Sequence, residues 1–488
     1  MARLRAKFAR VVETRTAESM AIIGDPGIGK SHLAAELTRI AGDGGRLLTG
    51  HSPAYGEGTT YWPLREIVLQ AMGDRSIDEL AAALRLAPSV TRQVAAATGL
   101  EEGNTAEDAG WAFLRLFDAL ARVQPLIVVI DDAHLAEPAL LELLLDIAAR
   151  LRDAPVLIVW VARPDLFERR PEWAGRIGAE DLLELRPLSA AASAALLGAI
   201  AGDRLDPDVE QRIAEAAGGN PLFLEQLVAY ADEQHPSADR LPPALHALLA
   251  ARLDQLDTAE RSALALGAVA GNVFEIGSVH ALAGGITRAE LEQACDRLVR
   301  RDLLVRSEGS RLRFRHDLVR DAAYASLAKS ARARLHERHA AWLEGLGSEL
   351  PEADARIAFH LETACGYEQE IGAGVPAELA SRAGRRLEAA ARVARGRGDL
   401  LGEISFLDRA IALLGADHEQ GAALLPALVS ALSDAGSAHR AEELAERAVR
   451  TSASLGLARV AARSAIERER IRLYRHPESS TWRQPSRS

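Results

Sequence analysis

The chain has little cysteine and few aromatic side chains. Its 488 residues include two cysteines, Cys295 and Cys365, which excludes a disulfide framework and a cysteine-based zinc cluster. Aromatic residues make up 4% of the chain, whereas 48% is apolar and 26% is charged, a globular composition that excludes a mostly disordered protein. The length exceeds that of a single core, so three or four domains are expected.

Long apolar runs are also missing. No run approaches the roughly 20 residues that a membrane-spanning helix needs. The longest, Leu126–Ile130 and Val156–Ala162, have the length of buried strands. The N-terminus is basic and amphipathic without the apolar core of a secretory signal. The formal charge of −11 gives no overall attraction to nucleic acid. We therefore expect a cytoplasmic protein that contacts no membrane, with nucleic acid an unlikely partner.

Lysine is rare among the 58 basic residues, and the three lysines are Lys7, Lys30 and Lys329. Lys30 lies in the stretch GDPGIGKS, between an apolar strand predicted at Ser19–Gly24 and a helix predicted at His32–Ile40. The stretch matches the pattern G-x-x-x-x-G-K-[ST] in its required strand–loop–helix setting. The alternative, a glycine-rich turn before a structural helix, requires the lysine and the hydroxyl to be coincidental.

This spacing predicts a phosphate-binding loop. Its glycines let main-chain N–H groups point at phosphate, and the following helix presents its positive end. Lys30 can reach the β- and γ-phosphates, and the Ser31 hydroxyl can ligate Mg²⁺. We predict ATP or ADP with Mg²⁺ as the cofactors, and the nucleotide-binding residues are Gly24, Asp25, Pro26, Gly27, Ile28, Gly29, Lys30, Ser31 and His32.

Polar residues follow two further predicted strands. Asp131 and Asp132 come directly after Leu126–Ile130, at the sheet edge where ligands bind in open α/β folds. We predict that Asp131 holds Mg²⁺, and that Asp132 orients or deprotonates an attacking water, with Lys30 as the other catalytic residue. An ordinary aspartate turn is the alternative. Arg163 follows Val156–Ala162 and either senses the γ-phosphate or is a surface arginine.

Six stretches occur in a fixed order and together resemble a known family. They are GDPGIGKS, YGEGTTYWPLREIV (Tyr55–Val68), VIDDAH (Val129–His134), VARP (Val161–Pro164), GGNPLFLEQLV (Gly218–Val228) and FRHDLVRDAAY (Phe314–Tyr324). This order resembles the STAND class of P-loop ATPases within the AAA+ superfamily. The resemblance is to the ATPase region found behind class III adenylate/guanylate cyclase domains and in large LuxR-type regulators of bacteria, and it covers about residues 5–345.

The resemblance implies a slow nucleotide switch, closed with ADP and open with ATP. It implies that Pro221, in the turn Gly219-Asn220-Pro221, packs near adenine, and that His316 of a winged helix contacts the ADP β-phosphate. A plain helix–helix turn, and a helix cap formed by His316 and Asp317, are the alternatives. Family members carry an upstream "GRE" segment that helps bind adenine, so we expect the chain to be N-terminally truncated.

The order of predicted elements indicates an α/β P-loop nucleotide-binding domain followed by mostly α regions. Strands are predicted near residues 19–24, 46–51, 126–131, 155–162 and 182–186. A helical insert is predicted at Ile77–Thr98. The predicted domains are the ATPase domain (1–186), a helical lid (187–241), a winged helix (242–328), a tetratricopeptide-like helical region (329–475) and a disordered tail (476–488). The winged helix is predicted to have helices near 244–256, 259–270 and 287–299 and a hairpin at 303–315.

The repeat assignment depends on two glycine–alanine pairs. Gly398 precedes Ala410, and Gly436 precedes Ala448, with equal spacing. This matches a glycine that ends a helix and an alanine that permits close packing in tetratricopeptide-like helix pairs. Generic helical hairpins remain an alternative.

The leading hypothesis is a signalling ATPase with slow hydrolysis, whose helical region binds a protein partner and which forms an ATP-dependent oligomer. No cyclase activity is expected in this chain. The alternatives are a fragment of a LuxR-type transcriptional regulator, a ring-forming AAA+ remodeller and a catalytically weak pseudo-ATPase scaffold. The third helix of the winged helix mixes arginines with acidic residues, which makes it a poor phosphate-binding face. The resemblance implies that the winged helix is an intramolecular clamp, and we prefer this interpretation to DNA binding.

Overall fold

A computed structural model describes residues 1–53, 60–101, 109–202, 204–234, 245–307, 311–347, 352–372 and 374–475. Residues 235–244, at the predicted boundary between the lid and the winged helix, the predicted tail at 476–488 and residues 55–59 of the second motif lie outside the described residues. The N-terminal part is a parallel α/β structure, and the rest is mostly helical, so the predicted fold class is confirmed.

The main sheet consists of parallel strands in the order β2-β3-β4-β1-β5. The strands are β1 (Ala17–Ile23), β2 (Arg46–His51), β3 (Leu126–Asp131), β4 (Val156–Ala162) and β5 (Leu182–Glu184). Alternate residues of the central strands enter two different cores. Ile130 and Trp160 lie in one core and Val129 and Val159 in the other, because successive strand side chains point to opposite faces. All the ligand-directed loops predicted above leave the same carboxyl edge of this sheet.

Helices cover both faces of the main sheet. They are α1 (Ala2–Thr14), α2 (Lys30–Ala35), α3 (Leu37–Ala41), α4 (Trp62–Met72), α5 (Ile77–Leu84), α6 (Pro88–Ala97), α7 (Ala109–Val123), α8 (Pro138–Arg150), α9 (Asp165–Arg169) and α10 (Pro171–Ile177). The helix predicted at His32–Ile40 is interrupted at Glu36. The helical insert predicted at Ile77–Thr98 is present and consists of two helices, α5 and α6. Arg85 has a left-handed φ of 54°, and Pro88 opens the next helix because its ring cannot continue the preceding one.

Two smaller units follow the main sheet. The lid helices are α11 (Ala190–Ala201), α12 (Pro207–Ala217) and α13 (Pro221–Gln234). The small-sheet region comprises α14 (Leu245–Asp254), α15 (Thr258–Ala270), β6 (Val273–Glu275), α16 (Ile276–Leu282), α17 (Arg288–Arg300), β7 (Leu304–Arg306), β8 (Arg311–Phe314) and α18 (Asp317–Ala325). Its antiparallel strands run in the order β6-β8-β7.

The small-sheet region differs from its prediction in two elements. The predicted helices and hairpin are present, but β6 and α16 were missed. In β6 only Phe274 is buried. A single buried residue in a three-residue strand gives no alternation of apolar and polar residues by which the strand could be recognised. Helix α14 packs on both sides, because Leu248 belongs to the lid core and Leu249 to the small-sheet core.

Helices continue to the end of the described chain, and each packs against the next. They are α19 (Lys329–Leu346), α20 (Ala353–Glu370), α21 (Ala377–Gly396), α22 (Leu400–Leu414), α23 (Glu419–Asp434), α24 (Ala438–Ser454) and α25 (Ala458–Arg475). Gly398 and Gly436 follow helices with φ of 72° and 76°, and the paired alanines, Ala410 and Ala448, are fully buried. The spacing therefore marks a helix end and a close contact in both places. No helix in the described part of the chain is both long and apolar enough to span a membrane.

Candidate nucleotide-binding site

The loop Gly24–Ser31, called the phosphate loop below, joins the end of β1 to α2. Gly27 and Gly29 have φ of 80° and 100°, where side chains with a Cβ are strained. Gly24 is needed for a different reason, because a Cβ there would lie 2.8 Å from Ile28 Cγ2. The glycines thus permit a tight turn at the sheet edge.

Lys30 folds back over this loop. Its Nζ donates hydrogen bonds to the main-chain oxygens of Gly24, at 2.8 Å, and Asp25, at 2.9 Å. Burial lowers the pKa of Lys30, and the positive charge of Arg163 lowers it further. The ammonium group is therefore held above the loop, where an anion would relieve both effects.

The remaining loop residues divide by exposure. Ile28 is buried and anchors the loop on the sheet, and Pro26 is half-buried. Asp25, Ser31 and His32 are exposed. The side chains of Asp25, Ser31 and His32 are thus accessible from solvent, whereas Ile28 is part of the packed interior.

The two predicted carboxylates end β3. The main-chain N–H of Asp132 donates to Asp131 Oδ1 at 2.9 Å, and Asp132 has a left-handed φ of 51°. Burial raises the pKa of Asp131. Burial, followed by the charges of Asp131 and Asp317, raises the pKa of Asp132 to about 7. Two half-buried acids with raised pKa values lie at one sheet edge, where the charge of a divalent cation would stabilise their ionised forms.

The lid helices touch the phosphate loop through the predicted turn. Pro221 is the first residue of α13, as predicted, but the preceding residue makes the contact. Asn220 Nδ2 donates to Pro26 O at 3.2 Å, and the Leu222 N–H donates to Gly27 O at 3.3 Å. Sequence reasoning missed the role of Asn220, although an amide beside a helix-starting proline was the available signal.

Arg163 connects β4 to the small-sheet region. Its Nη2 lies 3.9 Å from Asp321 Oδ2 on α18, so the predicted surface arginine forms a long ion pair. Its charge also lowers the pKa of Lys30 and of His134. Arg163 therefore lies within electrostatic reach of both the loop and the acidic pair.

His316 is the N-cap of α18 but makes no side-chain cap hydrogen bond, and Asp317 is the first helical residue. The predicted capping role of Asp317 is therefore wrong, because Asp317 is the first residue of the helix and not the N-cap residue that precedes it. His316 Nε2 lies 3.7 Å from Glu225 Oε2 of α13. Burial lowers the pKa of His316 to about 4, so the imidazole is neutral at pH 7. Asp317 raises the pKa of both Asp131 and Asp132, which puts the start of α18 near the acidic pair.

Two histidines near the acidic pair were not predicted. His51 ends β2 and pairs in register with Asp131. Glu66 Oε2 accepts hydrogen bonds from the His51 N–H, at 2.8 Å, and lies 3.0 Å from its Nδ1, so Glu66 raises the pKa of His51. His134 follows the acidic pair by two residues. The signal for His51 was a polar residue ending a strand at the same sheet edge.

Comparisons with known proteins place these features in a family. Residues 1–159 match the family described as the AAA ATPase domain. An uncharacterized protein of Rhizobium meliloti (strain 1021) is 27% identical over 332 residues, which are 63% of this chain and 31% of that protein. The chain thus spans about a third of the length of this curated relative.

Two solved structures are also similar. One is a Signal Transduction ATPase with Numerous Domains protein with a tetratricopeptide repeat sensor from Pyrococcus horikoshii, with a TM-score of 0.42, 13% identity, and coverage of 97% of this chain and 80% of that chain. The other is the Aeropyrum pernix Orc1 protein in complex with DNA, with a TM-score of 0.32, 17% identity, and coverage of 67% and 91%.

The family match covers the phosphate loop and the acidic pair, the two features that the ordered motifs placed first. Residues 1–159 are therefore similar to AAA ATPase domains, which supports the predicted P-loop nucleotide-binding ATPase domain over this third of the chain.

Proposed function

We propose that this chain binds ATP and ADP with Mg²⁺, hydrolyses ATP slowly and works as a nucleotide-dependent signalling switch. The main-chain N–H groups of the phosphate loop and the positive end of α2 would hold the phosphates. Lys30 would exchange its bonds to loop carbonyls for bonds to the β- and γ-phosphates. Pro221 would lie on the adenine side, and His316 would contact the β-phosphate.

The residues at the sheet edge fit a magnesium ion. No group of three or more histidine, cysteine, aspartate or glutamate side chains in the described chain is arranged to hold a metal alone. Mg²⁺ does not need one, because it is usually held by one or two carboxylates together with substrate phosphates and water. Ser31 and Asp131 would supply the protein ligands. Asp132 would orient the attacking water, and Arg163 would contact the γ-phosphate.

One observation carries the switch proposal: the lid and the small-sheet region both contact the carboxyl edge of the main sheet. Asn220 of the lid bonds to Pro26, and Asp321 of the small-sheet region pairs with Arg163. A γ-phosphate near Arg163 would compete with Asp321 for the guanidinium. Nucleotide state would thereby change how the small-sheet region is held, and helices α19–α25 would pass this change to a protein partner or into an ATP-dependent oligomer.

A DNA-binding regulator remains the second proposal, and the charges of α17 argue against it. Arg297 lies 2.8 Å from Asp257 and 2.9 Å from Glu260, and Arg301 lies 3.6 Å from Glu260. Arginines that are already paired with internal carboxylates are poorly placed to bind phosphates of a duplex. These contacts favour a clamp within the chain.

Thermal unfolding with and without Mg–ATP or Mg–ADP tests the proposal. A ligand at a hundred times its dissociation constant stabilises a protein by about 2.7 kcal/mol, so a clear rise in Tm is expected. Lys30→Ala should abolish the rise. Lys329→Ala is the matched control, because Lys329 pairs with Glu370 far along the chain and should leave the rise unchanged. If the wild type shows no rise, the scaffold alternative is correct.

A further inference from the structure

His134 is a buried side chain with an unused polar atom beside the acidic pair. It lies in the short 3-10 turn Ala133–Leu135 that follows Asp132. Its side chain is 6% exposed, and its Nδ1 has no hydrogen-bond partner among the described residues. Buried polar atoms usually have partners, so an unpartnered one next to a proposed reaction site calls for a reason.

The nearest carboxylate to this atom belongs to Asp132, whose Oδ1 lies 3.9 Å from His134 Nδ1. That separation is about 1 Å too long for a hydrogen bond. The backbone of Asp132 has the left-handed conformation. This conformation is energetically unfavourable for an L-residue and persists only where the surrounding structure holds it. The turn therefore holds the carboxylate and the imidazole side by side without joining them.

The charges around His134 keep its ring neutral. Burial lowers its pKa to about 4, the charges of Arg163, Lys30 and Arg169 act in the same direction, and Asp165 opposes them. A neutral imidazole carries one N–H donor and adds no charge. It can therefore hold a neighbouring carboxylate without cancelling the negative charge on which a magnesium site depends.

We propose that His134 is a positioning residue for Asp132, whose Nδ1–H donates to the Asp132 carboxylate when nucleotide binds and so keeps that carboxylate facing the attacking water. This inference rests on the proposed hydrolysis of ATP. It assigns to His134 a role that does not involve contact with nucleotide or metal. The bond would also satisfy the buried Nδ1, so nucleotide binding would complete a contact that the fold has prepared.

Two substitutions separate hydrogen bonding from packing. His134→Asn keeps a polar group near the position of Nδ1, whereas His134→Leu keeps bulk and removes the polar atom. We expect His134→Leu to lower kcat between about tenfold and a hundredfold, as for other residues that orient a reacting group, with the nucleotide Kd unchanged. His134→Asn should keep most of the wild-type kcat. His439→Leu is the matched control, because His439 is an exposed histidine on α24.

Steady-state hydrolysis, fluorescent-nucleotide binding and Tm are measured for all four proteins. The inference is overturned if His134→Leu turns over like the wild type, if its Kd rises in step with the fall in kcat, or if His134→Asn loses as much kcat as His134→Leu. The wild type alone reports on the proposed function. A wild type that binds nucleotide without turnover overturns hydrolysis and the role of His134 together, whereas a wild type that binds none overturns the proposed function itself.

Discussion

The side-chain amide of Asn220 donates a hydrogen bond to the main-chain oxygen of Pro26 across 3.2 Å. The two residues are 194 positions apart in the chain, and the bond ties the start of α13 to the phosphate loop. The Asn220 Oδ1 accepts from the Phe223 N–H at 3.2 Å, so one side chain caps the helix and docks it. Any movement of the lid helices must therefore either break this hydrogen bond or move the phosphate loop together with the lid.

Asn220→Asp is expected to loosen the docking while keeping the cap. Aspartate still accepts from the Phe223 N–H but cannot donate to Pro26 O. The loss of about 1 kcal/mol should speed hydrogen–deuterium exchange of the Leu222 amide, which bonds to Gly27 O, roughly fivefold. Asn220→Ala, which removes both bonds, should also expose the Phe223 amide. If exchange of the Leu222 amide is unchanged in both variants, the hydrogen bond from Asn220 to Pro26 does not stabilise the docking of α13 on the phosphate loop.

Gly27→Ala should disturb the site more than Gly29→Ala. Both positions have positive φ, so each alanine costs about 1–2 kcal/mol of backbone strain. At Gly27 the new Cβ would also lie 2.9 Å from Leu222 Cβ and Cδ2, whereas at Gly29 it meets nothing within 4 Å. Urea unfolding should therefore place Gly27→Ala lower in stability. Equal losses would show that the lid does not rest on the loop in solution.

The ion pair between Arg163 and Asp321 should compete with bound ATP. Asp321→Asn frees the guanidinium and is expected to tighten ATP binding relative to ADP. The change should be at most about fivefold, since an ion pair at 3.9 Å whose side chains are 31% and 37% exposed is worth at most about 1 kcal/mol. Arg163→Gln should weaken ATP binding without affecting ADP. Titrations with a fluorescent analogue of each nucleotide measure both effects, and equal changes for ATP and ADP would contradict this assignment.

Asp132→Asn should stabilise the protein without nucleotide while reducing hydrolysis. The folded pKa of Asp132, about 7, exceeds that of a free carboxyl group, so its stabilising contribution is present below about pH 4 and is lost as pH rises through 7. At pH 8 the amide should add about 1–2 kcal/mol, a reduced value because the side chain is a third exposed. Differential scanning calorimetry from pH 5 to 8 measures this, with Asp25→Asn as an exposed control. If Asp132→Asn is no more stable than the wild type at pH 8, the prediction is contradicted.

Three buried histidines join α19 to α20. His336 Nδ1 lies 2.8 Å from His360 Nδ1, and His360 Nε2 lies 3.0 Å from His339 Nδ1. His336 Nε2 lies 2.7 Å from the Tyr324 hydroxyl of α18. Burial lowers the pKa of His336 to about 4 and of His339 to about 3, and the pKa of His360 falls well below its usual value. Burial therefore keeps all three rings neutral at pH 7.

This cluster should make the protein sensitive to acid. A histidine with a depressed folded pKa contributes stability that is present above the unfolded pKa near 6.5 and is lost as pH falls toward 4. Protonating His336 or His339 should cost on the order of 2 kcal/mol of folding stability each at pH 4.5, and His360 acts in the same direction. The urea concentration at the midpoint of unfolding should decrease as the pH is lowered from 7 to 4.5. The decrease should be less steep in His339→Gln. The slopes are compared because the substitution also changes absolute stability, and equal slopes would contradict the assignment.

Local patterns predicted the parts of the site that depend on neighbours in sequence. The strand–loop–helix setting of Gly24–Ser31 and the position of the acids at the end of β3 were predicted correctly, since consecutive residues build a loop between a strand and a helix, whereas the binding roles of these residues stay predictions. The central strands β3 and β4 were also found, because nearly fully apolar runs mark buried parallel strands. The interruption at Glu36 and the strand β6 were missed, because such short elements contain too few residues to show a repeating pattern of apolar positions.

The sequence by itself determined a phosphate loop, an acidic strand end and a long helical region. Only the tertiary structure decided that Asn220 rests on Pro26, that Asp321 pairs with Arg163, and that His134 lies buried beside Asp132. The first two contacts join residues more than 150 positions apart, and the third depends on packing around a strained turn. Such relationships arise from how separate units pack, and no local pattern of residue types encodes that packing.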